Sequence, residues 1–105
     1  MKLELRNHDH RYVVEQSLLA LFPEERPVYG TVDPGADRRW AIVTLKEEGD
    51  RCGVTTELCW DGRTAVFTQE APLPGDDWAR EGQRRRCMGL SFFHAAKDAA
   101  GISPP

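Results

Sequence analysis

The sequence feature that most constrains this fold is a helical pattern near the C-terminus, from Asp76 to Ala100. At about 100° per residue, one narrow stripe predicts the core face, and it consists of Trp78, Gly82, Gly89, Phe93, Ala96 and Ala100. Leu90 widens this stripe on one side, and a second apolar flank widens it on the other through Met88, Phe92, Ala95 and Ala99. Because a small domain covers only one side of a helix, the pattern predicts an exposed apolar flank that is available to a partner.

Length and composition indicate a single soluble, globular domain. The chain has 105 residues, of which 40% are hydrophobic and 30% charged, and a net charge of −3. A negative net charge argues against a general nucleic-acid binder, which needs a basic surface to neutralise phosphates. The sequence contains no signal peptide and no apolar run that could span a membrane, so we expect a cytoplasmic protein without a membrane partner.

The sequence predicts a β-α-β-β-β-β-α order of elements. Asp9 is a candidate N-cap for the first helix, and Asp61-Gly62 is a strong signal for a two-residue type I′ hairpin. Either Asp76 or Gly75 can cap the last helix. The predicted strands cover 2–6, 27–32, 40–47, 52–60 and 63–70, and the predicted helices cover 10–22 and 76–100. This pattern predicts a two-layer α+β sandwich with a largely antiparallel five-stranded sheet. We expect strands two to five to form a meander and both helices to lie on one face. The pairing of strand one stays open.

Strand register predicts an apolar patch on the face of the sheet that the helices leave open. With Asp61-Gly62 as the loop, Leu58 lies opposite Ala65, and both face the core. The other face is mostly polar, but it also carries Cys59 and Val66, and a two-residue loop at Gly49-Asp50 adds Trp40 and Ile42 to it. A three-residue loop at Gly49 would turn strand three over and remove the latter two from this face. Together with the helix flank, this patch predicts an interface formed by Trp40, Ile42, Met88, Phe92 and Ala95.

No catalytic or metal-binding constellation stands out in the sequence. His8-Asp9-His10 offers two metal ligands but lacks a nearby third, so we interpret it as the start of a helix. Arg84-Arg85-Arg86 points around a helix and favours a solvated face over a phosphate site. The three cysteines match neither a zinc pair nor a redox Cys-x-x-Cys motif, which favours reduced thiols at Cys52, Cys59 and Cys87. We therefore predict no catalytic, cofactor-binding or metal-binding residues in this chain.

The C-terminal stretch Leu90 to Pro105, LSFFHAAKDAAGISPP, resembles a helix and exit loop of a known enzyme family. The family is that of the oxygen-independent coproporphyrinogen III oxidase-like radical-SAM proteins, also called coproporphyrinogen dehydrogenases. In that family the helix closes an N-terminal domain, and a Trp-Gly-x-Leu-Thr-Gly-x-Arg-Pro segment then leads into the catalytic barrel. The resemblance extends in outline to the start of the chain, where a short strand meets His8-Asp9-His10-Arg11 and an amphipathic helix.

The resemblance implies that residues 1–105 are the accessory N-terminal domain of an enzyme of haem biosynthesis. The parent protein would be an oxidoreductase that holds a [4Fe–4S] cluster on a Cys-x-x-x-Cys-x-x-Cys motif and cleaves S-adenosylmethionine. This chain has no such spacing, so no cluster or catalytic residue carries over to it. The implied partner is the catalytic domain of the same polypeptide, and the substrate of the parent stays open.

Two other hypotheses remain at the level of the sequence. An exposed sheet face and an apolar helix flank would equally suit a stand-alone interaction or dimerisation module without enzymatic activity, so self-association of the fragment is an alternative partner. An RNA-binding module has only Trp40 and the arginine run in its favour. The sequence does not indicate which surface docks or what the oligomeric state is.

Overall fold

The structure, a computed structural model, describes residues 1–102 and has the predicted α+β architecture. Two helices pack on one face of a five-stranded, largely antiparallel sheet. In chain order the elements are β1 (Lys2–Arg6), α1 (Arg11–Leu21), β2 (Val28–Tyr29), β3 (Arg39–Glu48), β4 (Arg51–Trp60), β5 (Arg63–Pro72) and α2 (Asp77–Ala100). Of the predicted exit turn after α2, Ser103 to Pro105 lie outside the described residues.

The sheet has the strand order β2-β1-β3-β4-β5, which corrects the predicted four-stranded meander. β1 pairs in parallel with both β2 and β3, so it separates the two strands that the sequence predicted as neighbours. β2 spans only two residues, Val28 and Tyr29, because the chain leaves the sheet at Gly30, whose φ is 155°. The antiparallel meander therefore consists of β3, β4 and β5 alone.

The two hairpins of the meander form with the predicted register. In the β4–β5 turn both Asp61 and Gly62 have positive φ, 50° and 89°, as a type I′ turn requires. In the β3–β4 turn Gly49 has a φ of 59°, and Glu48 pairs with Arg51 across a two-residue loop. Side chains from alternate positions of these strands therefore face the helices, as predicted.

The helix ends show one confirmed cap and one correction. The Asp76 side chain accepts a hydrogen bond of 2.9 Å from Ala79 N, as predicted, and Gly101 ends α2 in the left-handed conformation. Asp9 does not cap α1: the N-cap residue is His10, and no side chain donates or accepts a capping hydrogen bond there.

The predicted inward face of α2 is wrong by about one residue. Trp78, which anchored the predicted stripe, is 88% exposed, and Phe93 is only half-buried. The buried residues of the helix are Cys87, Met88, Ser91, Phe92, Ala95, Ala96 and Ala99. One residue corresponds to about 100° of rotation around a helix. The predicted stripe was centred on Phe93 instead of Phe92, so the flank that packs on the sheet was predicted to face outward.

A buried polar contact explains why the sequence pattern misled. Ser91 and Thr56 are both fully buried, and their hydroxyl oxygens lie 2.8 Å apart between α2 and β4. Ser91 Oγ also donates to Met88 O at 3.1 Å, so Thr56 Oγ1 donates to Ser91 Oγ. A serine at the centre of the core face breaks the apolar period of this helix. The serine is nevertheless satisfied, because its hydroxyl is hydrogen-bonded twice.

Removing only one side of this contact should destabilise the domain. We expect Ser91→Ala to cost about 1–3 kcal/mol in the free energy of unfolding, because the Thr56 hydroxyl loses its acceptor in a dry core. The double variant Thr56→Val/Ser91→Ala should recover most of this loss, since no unpaired hydroxyl remains. Urea unfolding of both variants and the parent tests this, and a double variant no more stable than Ser91→Ala would contradict it.

Candidate interaction surface

The structure places the predicted α2 interface residues inside the domain. Met88 and Phe92 are each 1% exposed and Ala95 is fully buried, and all three belong to the main hydrophobic core with Leu3 and Leu58. The prediction that this flank is exposed is therefore wrong. Its side chains already have a partner, the inner face of the sheet.

Trp40 and Ile42 lie on the face away from the helices, as predicted, but they do not form an open patch. They are 7% and 9% exposed, and they form a small second core with Cys59 and Val32. Val32 belongs to the segment between β2 and β3, which covers this end of the open face. Trp40 and Ile42 are therefore covered by Val32 of the same chain, whereas the sequence predicts that a partner covers them.

Local hydrogen bonds hold that covering segment in place. The Glu4 carboxylate on β1 accepts a hydrogen bond of 2.8 Å from Val32 N. The Asp33 side chain accepts from Gly35 N at 3.0 Å, and the Asp37 side chain accepts from Asp33 N at 2.8 Å, which closes a compact turn. The sequence predicts these turn residues but does not place them over Trp40, because it predicts β2 as the direct neighbour of β3, whereas β1 lies between the two strands.

The surface that sequence analysis missed is the outer edge of β5, the last strand of the sheet. Trp60 and Arg63 flank the two-residue turn and form a hydrogen-bonded pair, so the ladder alternates from there. Ala65 and Phe67 direct their backbone groups toward β4. The residues that direct their backbone N–H and C=O groups away from the sheet are Thr64, Val66, Thr68 and Glu70.

Only the C-terminal part of this edge is satisfied within the domain. The side chains of Gln69 and Gln83 each donate at 3.3 Å, to the carbonyls of Glu70 and Pro72 respectively. The outward backbone groups of Thr64, Val66 and Thr68 make no hydrogen bond to any residue in the range 1–102, and these residues are exposed. We call the stretch Thr64–Thr68 the open edge. A sequence signal for it exists, since the last strand of a meander has only one neighbour.

Polar side chains at the start of α1 are engaged with one another. His8 Nδ1 accepts from His10 N at 3.1 Å, and His8 Nε2 donates to Val43 O at 3.3 Å, which together fix the neutral Nε2–H tautomer. His10 Nε2 contacts Glu81 Oε1 at 2.6 Å. Among the described residues no group of three or more His, Cys, Asp or Glu side chains is arranged to hold a metal ion.

The same cluster predicts a pH dependence of stability. Burial lowers the pKa of His8 below its ordinary value of 6.5, and the nearby His10 lowers it further, while Val43 and Asp9 oppose the shift. A folded-state pKa below the unfolded one makes the domain lose stability as the pH falls from about 6.5 toward the folded value. His8→Asn should flatten this dependence. Urea unfolding between pH 7 and 5 tests it, and equal slopes for variant and parent would contradict it.

The arginine run also makes local ion pairs. Arg84 bonds to Glu47 on β3 and contacts Glu81 at 3.2 Å, and Arg85 contacts Glu81 at 3.3 Å. Burial opposes ionisation of Glu81, but hydrogen bonds from His10 and Arg84 outweigh it and lower the pKa of the carboxyl. With Arg84 and Arg85 already paired with carboxylates, the run is a poor platform for phosphate.

A cleft of about 280 Å³ lies where β2 ends beside β1. Two of its lining residues, Tyr29 and Arg11, contact each other, with the Arg11 guanidinium 4.6 Å from the centre of the Tyr29 ring. The Tyr29 hydroxyl also donates to Glu15 on α1 at 2.6 Å. Burial and the Glu15 carboxylate raise the pKa of the Tyr29 hydroxyl, so this group stays protonated. The Tyr29 hydroxyl is therefore not an activated nucleophile.

The three cysteines are buried thiols. Cys52 and Cys87 share the main core, and Cys59 lies in the small core with Trp40. Burial and the neighbouring Cys52 raise the pKa of Cys87 to about 11. Because the thiolate is the form that ligates metals and attacks electrophiles, this environment suppresses both kinds of chemistry at Cys87.

Comparisons with known proteins give no further guide. Within residues 1–102, neither helix combines the length and apolarity that crossing a bilayer requires. No protein-family model, no curated protein and no solved structure matches this chain.

Proposed function

We propose that this chain is a non-catalytic protein-interaction domain. The observation that carries the proposal is the open edge of β5, where three successive outward-facing residues, Thr64, Val66 and Thr68, leave their backbone hydrogen-bonding groups available. Such an edge is a template for a strand from another chain. One cluster of titratable side chains supports the same interpretation, because His10 and Arg84 both hydrogen-bond to Glu81 within the domain.

The specific form of this proposal is the N-terminal accessory domain of a coproporphyrinogen dehydrogenase-like radical-SAM enzyme of haem biosynthesis. Its support is the resemblance of Leu90–Pro105 and of His8-Asp9-His10-Arg11 to that family. The partner would be the catalytic barrel of the same polypeptide, which would carry the [4Fe–4S] cluster and S-adenosylmethionine. This chain would pack against the barrel in the cytoplasm and contribute no ligand to the cluster.

The second candidate is a stand-alone interaction or dimerisation module. The open edge favours it as well, because strand addition between two chains needs no catalytic domain.

Reading the open reading frame beyond the codon for Pro105 separates the two forms. A Trp-Gly-x-Leu-Thr-Gly segment followed by a Cys-x-x-x-Cys-x-x-Cys motif supports the accessory domain. A stop codon directly after Pro105 excludes it and leaves the stand-alone module.

Anaerobic reconstitution tests the absence of catalytic machinery. The purified 105-residue chain, treated with iron and sulfide, should show no stoichiometric [4Fe–4S] absorbance, because its thiols are buried and lack the cluster spacing. A cluster whose absorbance is lost on replacing Cys52, Cys59 or Cys87 by serine would contradict the proposal.

A further inference from the structure

We infer that the open edge pairs with the open edge of a second copy of this chain, antiparallel and about a twofold axis at Val66. The inference rests on the proposed function of an interaction domain and names its partner. In the resulting dimer the two sheets become one continuous sheet, with the helices of both copies on the same side.

The first step is the unprotected character of the open edge. Proteins protect exposed edge strands from pairing with other chains by means of charged side chains, prolines or bulges. The segment Thr64-Ala65-Val66-Phe67-Thr68 has none of these, and its residues all pair regularly with β4 without a bulge. Val66 is also one of the few large apolar side chains that is mostly exposed, at 57%. A regular, uncharged and exposed edge strand of this kind is suited to pairing with a strand of another chain.

The second step is the symmetry of the side-chain pattern about Val66. With Val66 opposite its counterpart, Thr64 of each copy lies opposite Thr68 of the other, and Ala65 lies opposite Phe67. On the open face this brings threonine to threonine and valine to valine. On the helix face it brings a small side chain to a large one, which suits close packing.

The same register uses the available backbone groups. Thr64, Val66 and Thr68 are the outward-facing residues, so each of the three pairs formed with the second copy exchanges two N–H···O bonds. The nearest charged side chains in β5, Arg63 and Glu70, lie outside the paired segment.

Neighbouring registers fit less well. An axis at Thr68 places Val66 opposite Glu70 and Thr64 opposite Pro72, which has no N–H to donate. An axis at Phe67 forces two Phe67 rings together, although each already stacks on His94 with ring centres 4.3 Å apart. An axis at Ala65 places Thr68 opposite Gly62 of the turn, and an axis at Thr64 places Val66 opposite the same residue, so both extend the pairing into the Asp61-Gly62 turn. The self-complementary register at Val66 is therefore also the least obstructed of the registers compared, and this favours a second copy as the strand that pairs with the open edge.

Cross-linking through introduced cysteines tests both the dimer and its register, because the three native cysteines are buried. Opposed residues of a hydrogen-bonded antiparallel pair have Cα atoms about 5.5 Å apart, within the range that a disulfide spans. Val66→Cys should therefore form a covalent dimer under oxidised glutathione, which is reduced to two thiols as the disulfide forms. Thr68→Cys should stay monomeric on a non-reducing gel, because it faces Thr64 of the other copy. The double variant Thr64→Cys/Thr68→Cys should cross-link.

Sedimentation of the unmodified chain gives an independent readout. We expect twice the chain mass of 11.9 kDa for the parent. Val66→Lys should sediment as a monomer with an unchanged circular dichroism spectrum, because two like charges would meet at the axis. The matched control Thr44→Lys adds the same charge to the same face, two strands from the edge, and should remain a dimer.

A parent chain that sediments as a monomer would overturn the inference, as would cross-linking of Thr68→Cys in preference to Val66→Cys. Either result would leave the proposed interaction domain intact, since the reading frame beyond Pro105 and the reconstitution test decide that function separately. A dimer that persists in Val66→Lys would show that copies associate through another surface, and it too would overturn the inference.

Discussion

Replacing Phe92 by aspartate should unfold the domain, whereas Phe93→Asp should leave it folded. Phe92 is 1% exposed and packs in the main core between α2 and the sheet, so a carboxylate there would be buried without a partner. Phe93, one residue further around the helix, is half-buried and contacts His94 edge-on, with ring centres 5.3 Å apart. A charge at that position can reach water.

Truncation of Phe92 to alanine is a milder change, and its expected cost can be stated as a free energy of unfolding. Phe92→Ala should lower the free energy of unfolding by about 3–5 kcal/mol, the usual cost of truncating a buried phenylalanine. This is a large part of the total stability of a small domain, which is about 5–15 kcal/mol. Phe93→Ala should cost clearly less. Circular dichroism of the two aspartate variants and urea unfolding of the two alanine variants test this, and a folded Phe92→Asp beside an unfolded Phe93→Asp would refute the observed helix orientation.

Those features of the fold that depend on neighbouring residues could be predicted from the sequence. Asp61-Gly62 fixes the register of β4 and β5, and the two-residue loop at Gly49-Asp50, one of two loop lengths that the sequence allows, gives the observed register of β3. The cap at Asp76 is local in the same sense. These interactions span few residues, so the sequence pattern and the structure agree.

The orientation of α2 could not be predicted, because it depends on what the helix packs against. Trp78 precedes the part of α2 that is buried, so its apolar side chain carries no information about the core face. Ser91 is polar but satisfied by Thr56, a residue 35 positions away in the chain. A periodic pattern assigns Trp78 to the core and Ser91 to the surface, whereas in the structure Trp78 is exposed and Ser91 is buried.

The interface at Trp40 and Ile42 was predicted wrongly because it, too, depends on a contact between distant parts of the chain. The insertion of β1 between β2 and β3 is a long-range pairing, and it carries Val32 across the open face onto Trp40 and Ile42. The same pairing places β2 at one end of the sheet and leaves β5 at the other, with its open edge. The apolar residues that suggested a partner are used inside the domain, and a strand of ordinary composition provides the available surface.

Trp40→Ala should lower the free energy of unfolding by about 3 kcal/mol, because Trp40 is covered by the segment between β2 and β3. Trp40 is 7% exposed and fills most of the small core with Val32, Ile42 and Cys59, so its removal leaves a cavity between the sheet and the covering segment. That segment has few other apolar anchors. We therefore expect faster proteolytic cleavage between residues 31 and 38 in the variant.

Ile42→Lys distinguishes a covered patch from an exposed one. If Ile42 were exposed and available to a partner, the lysine would be tolerated. Because Ile42 is 9% exposed beneath Val32, we expect Ile42→Lys to destabilise the domain, with part of the cost relieved as the lysine chain extends toward water. Val66→Lys on the same face is the matched control and should leave the monomer fold as stable as the parent fold, since Val66 is 57% exposed. Urea unfolding of the three variants at a concentration that keeps the chain monomeric tests the ranking, and equal stability of Ile42→Lys and Val66→Lys would show that the segment does not cover this face in solution.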